Sequence, residues 1–104
     1  MILLRKKTDA PSIQVEAKII GIIAGRYLSV VENVALADGS SIKDLLSELH
    51  KSGRLDETAY RQIKGIKPPL TLLVNGAPIN GRGREKTKLA SGDSISILTP
   101  LTGG

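Results

Sequence analysis

Within one short stretch the apolar residues Ile42, Leu45, Leu46 and Leu49 recur at i, i+3, i+4 and i+7. That spacing places four aliphatic side chains on one face of a helix and commits the chain to packing that face against something else. The ends of the helix are written locally as well. Asp38 and Gly39 turn the chain, Ser41 with Asp44 three residues on forms a capping box with a shortened acid, and Gly53 supplies a C-terminal stop. The sequence on either side has the two-residue period of strands. Ile13, Val15, Ala17 and Ile19 alternate with Gln14, Glu16 and Lys18, and a second run over residues 28–36 keeps Val30, Val34 and Leu36 in one register, with Glu32 interrupting it. Gly21 and Gly25 are expected to flank the bend of this N-terminal hairpin.

After the helix, Leu55, Ala59 and Ile63 recur every four residues, which predicts a short second helix over residues 56–64 before Gly65, Pro68 and Pro69 end it. Residues 70–74 read as a strand, Asn75-Gly76 as a tight turn, and residues 77–79 as a brief return strand, because Pro78 cannot donate to a ladder. A polar basic loop over residues 80–88 leads to Leu89, the Gly92-Asp93 turn and a last alternating strand over residues 94–98. Strands at both ends around one main helix predict an α+β domain rather than repeated βαβ units.

Composition narrows what such a domain can do. At 104 residues there is room for one core. With no Cys, Phe or Trp, that core is aliphatic, thiolate metal sites are excluded, and two Tyr are too few to favour an aromatic base-stacking platform. The net charge of +5 favours acidic partners without naming one. Met1 to Leu4 are apolar but precede Arg5, Lys6 and Lys7, the reverse of a secretion signal and too short for a membrane span. A cytoplasmic protein is expected, with residues 1–12 a flexible lead-in, residues 13–100 the folded domain and residues 101–104 an exposed tail.

Familiar catalytic constellations fail residue by residue. The lone His50 falls in the last helical turn, where a cationic side chain meets the helix dipole favourably, and no second His or any Cys accompanies it as a metal ligand. The stretch Gly81-Arg82-Gly83-Arg84-Glu85-Lys86-Thr87 has Lys86 where a phosphate loop needs Gly. Arg82, Arg84, Lys86 and Lys88 form a possible basic contact loop, but no aromatic is interleaved to stack a base, which disfavours nucleic acid. Self-sufficient catalysis is not expected, nor is a metal or cofactor bound by the chain.

The informative segment is the last one. Pro100 ends the final strand, and Leu101, Thr102, Gly103 and Gly104 follow. Four extended residues can carry a terminal carboxylate on the order of 13 Å beyond a sheet. Two residues without side chains let it enter a narrow channel. Alternation in the last strand turns Ile95 and Ile97 inward and Ser94, Ser96 and Leu98 outward, so Leu98, Leu101 and Thr102 are the candidate partner-binding residues leading to the glycines.

With these pieces in order the chain resembles the ubiquitin-like β-grasp sulfur carriers over residues 13–104. The resemblance rests on the N-terminal hairpin, Ser41-Ile42-Lys43-Asp44-Leu45-Leu46, Leu73-Val74-Asn75-Gly76, Leu89 with Gly92-Asp93, and Leu101-Thr102-Gly103-Gly104. Relatives of this kind are the small subunit of molybdopterin synthase, the thiamine sulfur carrier, the ubiquitin-related modifier and the archaeal small modifiers. The resemblance implies a mixed sheet with one main helix packed on it and a short second helix. It also implies a carrier protein rather than an enzyme. A separate ubiquitin-activating-type adenylating enzyme, using its own ATP and magnesium, would adenylate the Gly104 carboxylate, and persulfide sulfur would convert it to a thiocarboxylate. Gly103 would give the tail access to the enzyme's channel. The sulfur would serve molybdopterin synthesis, with the synthase large subunit as partner, or tRNA thiolation; in a modifier the tail would be joined to lysines of target proteins. Two departures stand out: residues 51–69 are longer than in compact members, and Thr99-Pro100 stands where many relatives have two prolines. Two other classes share some of these motifs, a small RNA-binding domain of the S4 or TGS type and a ubiquitin-like interaction module that is never activated.

Overall fold

The computed structural model describes residues 12–67 and 69–99. Strand β1 (Ser12–Ile23) and strand β2 (Arg26–Ala37) form a twelve-residue antiparallel hairpin. Helix α1 (Ile42–Lys51) and helix α2 (Glu57–Ile63) follow, then β3 (Thr71–Val74), β4 (Ala77–Pro78), a 3-10 turn at Arg84–Lys86 and β5 (Ser94–Leu98). The sheet order is β2-β1-β5-β3-β4. The first and last strands lie side by side and parallel at its centre, while every other pairing is antiparallel. This is the α+β mixed sheet expected from the sequence.

The alternation in β1 is realised as burial of Ile13, Val15, Ala17, Ile19 and Ile23, which share one aliphatic core with Ile95, Ile97, Leu72 and the α1 stripe. All four stripe residues of α1 are buried. α2 adds Ala59 and Ile63, and Leu55 and Ile66 close the core on either side of it.

One expectation is refined. The bend is tighter than expected: β1 continues through Gly21 to Ile23, and the turn is the pair Ala24-Gly25, with φ of 56° and 80°. Two residues with positive φ make the turn whose twist matches that of the flanking strands, and the long ladder behind it holds Ala24 in a conformation that alanine rarely adopts.

The α1 capping box forms as read. Ser41 N–H donates to Asp44 Oδ2 at 2.8 Å, and Asp44 N–H donates back to Ser41 Oγ at 3.4 Å. The Ser41 N–H holds the Asp44 carboxyl below its ordinary range; partial burial opposes this, while the Ser41 hydroxyl, Lys88 and Lys43 reinforce it. A carboxyl lowered by folding stabilises the fold above the unfolded carboxylate range, and that contribution is lost as the pH falls through the lowered folded value. Ser41→Ala is therefore expected to cost about 1 kcal/mol at neutral pH in urea unfolding. The stability gap between wild type and Asp44→Asn is expected to shrink on acidification; a gap that is constant with pH would show the box contributes no charge-dependent stability.

Candidate functional site

The expected site lies at the end of β5, so its geometry depends on what flanks that strand. Ile95 and Ile97 point into the core at 1% exposure, leaving Ser94, Ser96 and Leu98 half-buried on the face turned away from the helices. Leu98 sits in a row with Ile20 of β1 on one side and Thr71 of β3 on the other. Two residues along β1, Ile22 stands opposite Tyr27, and both are largely exposed, at 53% and 59%. Val31, opposite Lys18, is exposed as well. Isolated apolar residues on a surface need no explanation, but Leu98, Ile20, Ile22 and Tyr27 are neighbours on one face.

Leu98 faces away from the helices, as the alternation of β5 implies, and Ile20, Ile22 and Tyr27 share that face. Their signal was present: Gln14, Glu16 and Lys18 mark the wet parity of β1, and Ile20 and Ile22 continue that parity with apolar side chains. Tyr27 gives no such signal, because its place beside Ile22 comes from the hairpin register.

Thr99 makes the last bonds of the strand. Its N–H donates to Ile20 O at 3.1 Å, and its hydroxyl accepts from Ile22 N–H at 2.8 Å. Leu101, Thr102, Gly103 and Gly104, the rest of the expected site, lie outside the described residues, as do residues 1–11.

The basic loop divides into two kinds of residue. The Arg84 guanidinium donates to Ile79 O at 3.1 Å, to Leu70 O at 3.2 Å and also to Ile66 O, tying the chain after α2 to the chain after β4. Lys88 Nζ donates to Gly39 O at 3.1 Å. Arg82 and Lys86 are exposed. The structure therefore does not present four equivalent cations: Arg84 and Lys88 hold backbone carbonyls, and Arg82 and Lys86 face solvent. A groove of about 770 Å³ opens beside this loop, lined by Ile66, Leu70, Thr71, Gly81, Arg82 and Arg84.

The motif residues at the far end of β5 also prove architectural. Asn75 Nδ2 donates to Asp93 Oδ1 at 2.9 Å, Asn75 Oδ1 accepts from Ser94 N–H at 2.9 Å, and Asp93 Oδ2 accepts from Ala90 N–H at 2.8 Å. Asn75-Gly76 and Gly92-Asp93 thereby lock the β3–β4 turn onto the start of β5. His50 stacks on Tyr60 at a centroid distance of 4.4 Å and lies 3.1 Å from Glu57. Among the described residues no cluster of His, Asp and Glu is arranged to hold a metal ion, and no helix is long and apolar enough to cross a membrane.

The family model of the ThiS family matches residues 23–104. Among solved structures, the solution structure of the Haloferax volcanii protein HVO 2177 is 26% identical, with a TM-score of 0.56 over 92% of this chain and 91% of that one. The crystal structure of SAMP1 from Haloferax volcanii is 17% identical, with a TM-score of 0.56 over 88% of this chain and 99% of that one. Haptocorrin in complex with Cbi is 15% identical, with a TM-score of 0.60 over 86% of this chain but 25% of that one. The last two likenesses are of fold alone. No curated protein matches the chain.

Proposed function

We propose, on the premise that the chain belongs to the ThiS family and has the ubiquitin-like β-grasp fold, that it is a sulfur carrier whose reactive group is the Gly104 carboxylate. The observation that carries this reading is the extent of the family match, which runs through the tail to residue 104 and takes in both glycines.

The chemistry explains why a chain with no Cys can do this work. A carboxylate is a poor acyl donor. Attack of one Gly104 oxygen on the α-phosphate of ATP, inside a separate adenylating enzyme, expels pyrophosphate and makes a mixed anhydride with AMP as leaving group. A persulfide then attacks the acyl carbon and displaces AMP, and a thiol splits the resulting acyl disulfide to leave a C-terminal thiocarboxylate. ATP, magnesium and sulfur all belong to the partner. The carrier contributes a reachable terminus and a surface that docks. The apolar row of Leu98, Ile20, Ile22 and Tyr27 is the docking surface in this reading, with Leu101 and Thr102 as further partner contacts. The thiocarboxylate would pass its sulfur to a molybdopterin precursor or to tRNA, or the activated tail would be joined to target lysines.

An RNA-binding role is less well supported, because two of the four loop cations are engaged with backbone carbonyls.

The experiment is a mass measurement on the intact protein after incubation with an adenylating enzyme, ATP and a persulfide donor. Replacement of one oxygen by sulfur is expected, dependent on ATP. An unchanged mass, with a known carrier converted by the same mixture, would overturn the proposal.

A further inference from the structure

We infer that Thr99 is a positioning residue for the tail: its hydroxyl ends the β1–β5 ladder in place of a backbone carbonyl and so sets where the last five residues leave the sheet. This rests on the carrier reading above and extends it to a residue that the reading does not use.

The bonding pattern carries the inference. Glu16 N–H donates to Asp93 O at 3.0 Å where β1 and β5 begin to pair. In a parallel ladder such bonds recur at every second residue on both strands. Six residues further along each strand, from 16 to 22 and from 93 to 99, Ile22 N–H is due at the carbonyl of Thr99. It donates to the Thr99 hydroxyl instead. The side chain has replaced its own carbonyl, so the strand stays anchored through the Thr99 N–H and hydroxyl while the Thr99 carbonyl is released from the ladder. The next residue, Pro100, has no N–H with which to rejoin it.

Gly21 is the other half of the device. It is buried within β1 at φ +142°, a conformation that disfavours any side chain, and a Cβ built there would lie 1.7 Å from Thr99 Oγ1 and 3.0 Å from Thr99 N. The glycine that looked like a bend in the sequence is the seat of the Thr99 side chain. This also gives the Thr99-Pro100 pair a physical meaning. A proline at position 99 would supply neither the N–H that reaches Ile20 O nor the hydroxyl that accepts from Ile22.

A carrier docks by its sheet but reacts by its terminus, so the direction in which the chain leaves Thr99 sets where the tail starts relative to the docked sheet. Misplacing reacting atoms by about 1 Å can cost up to ~100-fold in rate. Loss of the anchor should therefore lower kcat for adenylation and leave KM for the carrier close to wild type, because the docking face is intact.

The test compares wild type, Thr99→Val and Thr99→Ser as substrates of the adenylating enzyme, well below their unfolding midpoints, with amide hydrogen exchange at Ile22 measured on the carriers alone. Thr99→Val keeps the shape and loses the acceptor. It is expected to speed exchange at Ile22 and to lower kcat by about 10-fold or more, whereas Thr99→Ser is expected to restore both. Wild-type kcat in Thr99→Val, or a kcat loss that Thr99→Ser fails to rescue, would overturn the inference while leaving the carrier reading standing. A wild type that is never adenylated would overturn both.

Discussion

Removal of Gly104 is expected to abolish activation and leave the unfolding midpoint unchanged. The truncated chain still ends in a carboxylate on a glycine, so the chemistry of the group survives; what changes is its reach. One residue withdraws the terminus by about 3.3 to 3.6 Å, and the attacking and attacked atoms need to approach within roughly 3 to 3.5 Å before reaction. A deficit as large as the required contact distance leaves the carboxylate outside attacking range. The fold is expected to be indifferent, because β5 ends at Leu98 and, among the described residues, the last ladder bonds are those of Thr99. Gly103→Ala is expected to give a graded loss, since its carboxylate keeps its reach but the added Cβ narrows the backbone and obstructs a channel shaped for bare main chain. Time courses of intact mass, with thermal unfolding of the same samples, check both. Conversion of the truncated protein at the wild-type rate would show that activation requires neither Gly104 nor its reach.

Leu46→Ala is expected to do the reverse, lowering stability by about 2 to 5 kcal/mol while the protein that remains folded is activated normally. Leu46 is fully buried, at 0% exposure, in the middle of the α1 stripe. Its truncation loses apolar contacts and opens a cavity in a core built of Ile, Leu, Val and Ala side chains. In a domain of this size each kcal/mol lowers the midpoint by about 4 to 8 °C. Leu46 faces the helix side of the sheet and the Leu98 row faces away from it, so the rate of activation at low temperature should not follow the loss of stability. Urea unfolding measures the cost. A neutral result would remove Leu46 from the core.

The parts of this protein legible from its amino acids alone are those held by interactions between near neighbours. The α1 stripe repeats within three or four residues, and its capping box joins Ser41 to Asp44. Asn75-Gly76 builds its turn from its own left-handed preference, and Pro78 limits β4 by lacking a donor. Residues whose roles depend on distant partners could not be read in this way. Gly21 looks like a bend until Thr99, seventy-eight residues on, is laid across it. Arg84 looks like surface charge until Ile66, Leu70 and Ile79 bring three carbonyls to it. Ile20 and Ile22 form a patch because the hairpin register brings Tyr27 beside Ile22 and β5 brings Leu98 beside Ile20. The central parallel pairing of β1 with β5 joins the two ends of the domain, a contact with no local signature, and it places the inward faces of both strands in one core with α1 and α2.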